Sequence, residues 1–481
     1  MKSPVPRLLS RLVAGLVVAA LLILAPALAF AHGKLKSSKP DAGAHLAEVP
    51  SEIRLTFTEP AELTFTRIDL AGPDGALVFL TPLQYADGTK RVVFATVRSP
   101  LQAGVYTVNW QMAGKDGHPV GDSFTFIIAP GAAGVATAET PVAPSAQAQE
   151  PTLAEHHDPV TIPIGEGFDA ESPLYVAIRW ATFTGLLLVI GIVAFYLFVL
   201  GFLRRKQDAP APMLEPASRR AARVGLWVTA VLGVVALLRL YAQSYAMHGT
   251  SRSLDFTLIA SMLANTVWGW GWLLQMAAIV LCALGFRSAR QGGGTGWALA
   301  ALGAVVLAFT PALSGHASSS PRLAPLAILA DGIHVIGAAG WLGSLLVVVA
   351  VGIPAALLVE EGARGAAVAD LFNAFSPTAL TFAGMTMFTG VFAAWIHLGT
   401  VSALWQSQYG KILLLKLAIL SLTAGTGAYN WLRVKPSLGN ESGAFRIRRT
   451  ARAELVIGVL VLIVTAILVA TPTPVDMVVS R

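Results

Sequence analysis

One cysteine, Cys282, occurs in 481 residues, and it lies inside an apolar run. A structural disulfide within the chain is therefore excluded, as are zinc and iron–sulfur sites built from cysteine. Any metal has to be held by nitrogen, oxygen or thioether ligands. Charge is also scarce: Asp, Glu, Lys and Arg make up 13% of the sequence against 55% hydrophobic residues, which argues against a single water-soluble globule. No GxxxxGK[S/T] loop is present, so nothing points to nucleotide hydrolysis. The net charge of +7 is not spread as a nucleic-acid footprint would be. Lys and Arg collect beside long apolar runs instead, so no nucleic-acid partner is expected.

What is present divides along the chain. Residues 1–31 have a basic start (Lys2, Arg7, Arg11), an apolar core LVAGLVVAALLIL, and small residues at Ala29 and Ala31. That is the layout of a secretory signal cut after Ala31. Residues 32–130 carry short alternating runs, among them IRLTFTEP, RVVFATVRS, GVYTVNWQM and DSFTFII, separated by Gly, Pro and Asp turns. This pattern predicts an all-β, immunoglobulin-like sandwich. Residues 131–170 are rich in Ala, Pro, Thr and Glu without periodicity and read as a tether. Residues 171–475 read as an all-α polytopic membrane domain of about eight spans, at 174–203, 223–247, 267–286, 296–313, 324–352, 376–397, 410–432 and 453–471.

Basic residues orient those spans. The loops after spans one, three and seven hold Arg204, Arg205, Lys206, Arg219, Arg220 and Arg223, then Arg287 and Arg290, then Arg433, Lys435, Arg446, Arg448, Arg449 and Arg452. The loops after spans two, four and six hold only Arg252, Arg322 and no basic residue. By the positive-inside rule the first set is cytoplasmic and the β domain lies outside, as an N-terminal signal also requires.

Cleavage after Ala31 would make His32 the N-terminal residue, whose α-amine and imidazole Nδ1 together chelate one metal ion. Such a brace suits Cu(II), which prefers tetragonal nitrogen-rich sites. Further ligands are available in GKDGHPVGDSFTF, where His118 offers a third nitrogen and Asp116 an oxygen or an orienting group. The same Asp-Gly-His-Pro stretch is also good turn material, and spacing alone leaves both readings open. His45 reads as a surface residue, and His156, His157 and Asp158 read as solvated tether.

The runs HGKLKSSKPDAGAHL, IRLTFTEP and AGVYTVNWQMAGKDGHPVGDSFTF resemble the periplasmic copper-binding CopC family. HVIGAAGWLGSL and YGKILLLKLAIL resemble the CopD membrane family, so residues 32–471 look like a CopC–CopD fusion. The resemblance implies a Cu(II) site at His32, Asp116 and His118. It also implies copper transport, inward, across the cytoplasmic (inner) membrane, serving copper homeostasis and resistance. The partners implied are copper ions, membrane lipid and periplasmic copper chaperones, and no enzymatic activity is implied. Met112 is the single methionine of the β domain, so the methionine-rich Cu(I) site of some CopC proteins is not expected.

Four more histidines belong to the membrane region. His248, His316 and His397 fall at outer span ends, and His334 lies about ten residues into span five, below the same surface. They form the candidate membrane copper site, with copper as Cu(I) or Cu(II). Met247, Met385 and Met387 are candidate thioether ligands. Asp331, three residues before His334, shares its helical face and is expected to orient the imidazole. Gly337, Gly340 and Gly343 continue the interval and predict close helix packing. Lys416 lies deep in span seven and calls for an acidic partner that the sequence does not identify. A rival reading uses the same histidines as haem ligands of a membrane electron-transfer protein or copper reductase. A third, copper monooxygenase chemistry, is disfavoured because Asp116 would fill coordination space that oxygen needs.

Overall fold

A computed structural model describes residues 35–58, 60–113, 119–133, 172–206, 211–249, 252–313, 324–430, 432, 441–471 and 473–474. The expected signal and nearly all of the tether lie outside these residues. Two compact units are formed, one from residues 31–168 with 244–262, the other from 169–243 with 263–481.

The first unit is a β sandwich. One sheet has the order β1 (Leu35–Lys39), β3 (Glu52–Phe57), β7 (Val92–Thr96), β6 (Gln84–Tyr85). The other runs β2 (His45–Glu48), β9 (Pro119–Ala133), β8 (Gly104–Ala113), β4 (Arg67–Ala71), β5 (Leu77–Val78). All strand pairs are antiparallel except β2 with β9. Strict alternation drives the packing: in β3, Ile53, Leu55 and Phe57 are buried while Glu52, Arg54 and Thr56 are not. They meet Val108, Trp110 and Met112 of β8 and Phe126 and Ile128 of β9 in one core, with the Trp110 ring 5.5 Å from Phe57. The Tyr106 hydroxyl ties the segment before β8, donating to the Gln102 carbonyl at 3.0 Å and accepting from its N–H at 2.9 Å. Burial of Tyr106 raises its phenol above the usual value.

The second unit is helical. Its helices are α1 (Pro173–Arg205), α2 (Ala211–His248), α4 (Val267–Arg290), α5 (Gly296–Leu313), α6 (Pro325–Ala356), α7 (Arg364–Leu398), α8 (Gln408–Tyr429) and α9 (Glu441–Leu468). The final residues of α2, from Ser244, and the short α3 (Phe256–Asn265) as far as Met262 belong to the first unit. Among the described residues seven helices, α1, α2 and α4 to α8, are long and apolar enough to cross a membrane. The expected eighth lies in α9, whose apolar part, Ala453–Leu468, is shorter than the other spans. Helices α2 and α7 start well before the apolar spans, because their first turns carry polar residues such as Arg219 and Glu215, paired at 2.7 Å.

Glycines set the helix spacing, as their interval predicts. A side chain at Gly343 of α6 would strike the Leu187 backbone carbonyl of α1, and one at Gly191 of α1 would strike the backbone of Gly343. A side chain at Gly340 would enter the Phe382 ring of α7. Helix α6 contains π-turns at Ala339–Gly343 and Val348–Gly352. Because backbone cannot move aside as a rotamer can, Gly343→Ala is expected to destabilise the helical unit by about 1–3 kcal/mol. Gly384→Ala, which would meet nothing within 4 Å, serves as the control. Thermal unfolding of the full chain in detergent checks both, and equal midpoints would refute the close-packing argument.

Candidate metal centres

The expected Cu(II) ligands His32, Asp116 and His118 lie outside the described residues. The frame that bears two of them is described: β8 and β9 pair continuously from Gly104↔Ile128 to Ala113↔Pro119. Asp116 and His118 thus fall between the two paired ends of one hairpin, in the five residues from Gly114 to His118. The third follows the same logic, since His32 precedes β1 by three residues. Met112 is fully buried in the sandwich core, which removes its thioether from any surface metal. His45 is exposed on β2.

In the helical unit the best-defined imidazole is that of His334 on α6. Its Nδ1 lies 3.0 Å from the Thr389 hydroxyl of α7. That hydroxyl donates its one proton to the Met385 carbonyl at 2.7 Å, so its lone pair accepts from Nδ1–H. The backbone of Thr386 adds a further hydrogen bond to the ring. With the hydroxyl proton directed to the backbone of α7, the tautomer that fits is Nδ1–H, which leaves the Nε2 lone pair for a metal. Gly390 makes room for the ring, for a side chain there would sit 3.3 Å from its Cε1.

Asp331 does not take the expected role. The acceptor on the imidazole is Thr389, while the charge acting on Asp331 is the ammonium of Lys416 on α8. The charge of Lys416, which lacked an identified acidic partner in the sequence, acts on both Asp331 and His334 without a direct ion pair among the described residues. The ring's partner comes from α7, which packs against α6, rather than from the residue one turn back on α6. The methionines separate as well. Met385 contributes its backbone carbonyl to the Thr389 hydroxyl, whereas Met387 is 71% exposed, two residues and about 200° further round α7.

His248 belongs to the first unit. Its Nδ1 is 3.0 Å from the Ser244 carbonyl, which can only accept, so this ring too is protonated at Nδ1. Its Nε2 is buried and has no hydrogen-bond partner. The Ser244 hydroxyl is 3.2 Å from the same Nδ1 and donates to the Ser253 carbonyl at 2.7 Å, and the ring stands 5.7 Å from that of Phe65. Met247 beside it is buried, and its carbonyl accepts from the Gln111 side chain at 3.4 Å. His397 packs its ring 6.2 Å from Tyr409. His316 lies outside the described residues.

Whether these histidines share one centre was left open by the sequence; among the described residues no three His, Cys, Asp or Glu side chains gather to hold a metal. His397 is eight residues beyond Thr389, the partner of His334, which is about 12 Å along α7. Sharing the outer side of the bundle does not bring side chains to a common point. Sequence reasoning also missed Thr389 and Ser244. The second had a local signal, a hydroxyl residue four positions before a helix-terminal histidine, but the first is a contact between helices. Nitrogen-15 NMR of histidine-labelled protein should show His334 protonated at Nδ1 and bare at Nε2. Thr389→Val should erase that preference; a wild-type ring protonated at Nε2 would refute the assignment.

Three family models match the chain: CopC domain over residues 35–129, Copper resistance protein D-like, N-terminal domain over 169–321, and Copper resistance protein D over 369–468. Helix α6, with Asp331 and His334, lies between the last two. The chain is 26% identical over 461 residues to the copper transport protein CutJ of Bacillus subtilis, covering 94% of this chain and 76% of that one. It is 29% identical to copper resistance protein D of Pseudomonas syringae pv. tomato, covering 59% of this chain and 89% of the relative. It is 35% identical to copper resistance protein C of Xanthomonas campestris pv. juglandis, over 24% of this chain and 96% of the relative. Among solved structures, PcoC of Escherichia coli, a methionine-rich copper resistance protein, aligns with all of its length to 21% of this chain at 28% identity and a TM-score of 0.19. With copper resistance protein C matched almost end to end and copper resistance protein D models covering most of the helices, the chain belongs to the copper resistance family as a CopC–CopD fusion.

Proposed function

We propose that the protein captures Cu(II) outside the cytoplasmic membrane at His32, Asp116 and His118 and passes copper inward through the helical domain. The observation that carries the membrane step is His334: an imidazole set among helices, held at Nδ1 by Thr389, with the Nε2 lone pair left for a metal. Ionisable groups inside membrane helices are costly unless they are paired or used, and His334, Asp331 and Lys416 together make such a group. Copper is the cargo, suited to neutral imidazole in either oxidation state. The similarity to the Bacillus copper transport protein supports the same reading.

The proposed topology has the β domain in the periplasm and the arginine-rich loops inside. An ion pair supports its parity: Lys206 at the end of α1 lies 2.7 Å from Asp370 in the first turns of α7, and the span order puts both on the cytoplasmic side. Inner-membrane lipid surrounds the helices, and periplasmic copper chaperones are the proposed donors. His248, His316 and His397 are proposed as separate stations on the outer side rather than ligands of one centre.

Cells expressing the protein should accumulate copper, and His334→Ala should abolish the excess. Thr389→Val, which removes only the partner that orients the ring, should lower it about tenfold. Equal accumulation by the His334→Ala variant would overturn the transport reading. For the outer site, one alanine inserted before His32 in the mature protein should abolish tight Cu(II) binding, because the α-amine and imidazole would no longer share one residue. Copper EPR and competition titration read this directly, and unchanged affinity would refute the brace.

A further inference from the structure

The contact between α8 and α9 holds an acid that plays no part in the copper reading. Glu454 is the one ionisable residue of the apolar stretch Ala453–Leu468, and it is 6% exposed. Its Oε1 accepts from the Nδ2 of Asn430, the residue that caps α8, at 2.6 Å. The Oδ1 of the same amide is buried and has no hydrogen-bond partner among the described residues.

Helix α9 packs against α8, α1, α7 and the second half of α6. Arg179 of α1 donates to the Ala466 carbonyl of α9, and Glu454 is twelve residues before Ala466, so it lies about 18 Å further in, level with Gly191 of α1. Arg204, seated over the Tyr196 ring, and the Lys206–Asp370 ion pair are about 20 Å beyond that level. The second half of α6, from Ala339 to Ala356, has no ionisable residue. On α8, Tyr429 beside Asn430 is exposed, and Lys416 is about 21 Å away along the axis. Arg452 of α9 precedes Glu454 by two residues, about 160° round the helix.

An ionised Glu454 would exchange its hydration for one hydrogen bond from a neutral amide, and its negative oxygens would lie beside another acceptor, the Asn430 Oδ1. Buried charge of that kind is costly. The protonated acid is complementary to the same amide. One carboxyl oxygen accepts from Nδ2 while the acid O–H donates to Oδ1, which closes a ring of two hydrogen bonds. A single proton thus removes the buried charge and gives the amide oxygen the donor it lacks.

We propose that Glu454 and Asn430 form a proton-binding site between α8 and α9, with the proton held between the carboxyl group and the Asn430 Oδ1. The proton is taken from water and returned to it, and only the acid O–H bond is made or broken. The face of α8 that bears Asn430 continues at seven-residue intervals through Thr423 to Lys416. The Thr423 hydroxyl is buried and also lacks a partner among the described residues, and the charge of Lys416 acts on His334. One face of α8 therefore runs from the proton site toward the candidate metal site. Neither Glu454 nor Asn430 is a candidate copper ligand, so the outcome is independent of the transport reading.

The test uses the full chain purified in nonionic detergent, free of copper. Infrared spectra are recorded in mildly acidic buffer, in which an ordinary glutamate is ionised. Asp331 can contribute a band of its own, so the assignment rests on differences between variants. Wild type minus Glu454→Gln should show the carbonyl band of a protonated, hydrogen-bonded carboxyl, shifted in heavy water. Glu454→Gln should keep the fold, because its amide makes both hydrogen bonds to Asn430 with no proton to lose. Asn430→Leu should move the acid band to the position of a carboxyl without an acceptor. Should Asn430→Leu fail to fold, the difference between wild type and Glu454→Gln decides alone. The proposal is overturned if that difference shows carboxylate bands instead, or if Asn430→Leu leaves the acid band in place. It is equally overturned if the acid band gives way to carboxylate when sodium replaces choline, which would make the occupant an alkali cation.

Discussion

Inside hydrocarbon a charged or strongly polar side chain has no water to fall back on, so its partner has to come from a neighbouring helix. His334 shows this constraint most plainly: α7 supplies Thr389 and the space left by Gly390, and the Lys416 charge of α8 acts on both Asp331 and His334. Helices α6 and α7 are therefore tied by a polar contact, and the glycines of α6 allow the close approach it needs. The metal chemistry proposed for His334 depends on this arrangement, because the hydrogen bond at Nδ1 is what leaves Nε2 bare.

The β domain obeys a different constraint. It has water outside and a small apolar core inside, so period-two alternation is enough to set its strands, and that alternation is visible in IRLTFTEP and GVYTVNWQM. Met112 follows the same rule: on β8 it is fully buried in the core. The two domains meet their polar obligations separately, and copper is the only chemistry they are proposed to share.

How legible the chain was follows the same division. Apolar runs located the helices because length and hydropathy are local properties, and the error at α2, α7 and α9 lay in polar turns that extend a helix without changing its apolar window. The glycine interval at 337, 340 and 343 was read correctly for close packing, since spacing along a helix is enough to define a stripe. The partners of side chains were not legible. Lys416 called for an acid, but nothing in the sequence says that its charge acts on Asp331, 85 residues away. Thr389 was invisible for the same reason, and the four histidines were grouped by depth when azimuth around each helix decides which can meet. The family resemblance carried what geometry could not, namely His32, Asp116 and His118.

The π-turns of α6 give this helix a property that its sequence hides. Each wide turn accommodates an extra residue, so the helix face advances in azimuth without the chain changing direction. Ahead of Gly343, α6 turns His334, Gly337 and Gly340 to α7; at Gly343 it lies backbone to backbone against α1. One helix thus serves as two splints set end to end, the first clamped by polar side chains and the second by bare backbone. The histidine end of α6 is thus placed by side chains, which can be exchanged one at a time, whereas the glycine end has no room for a single added carbon.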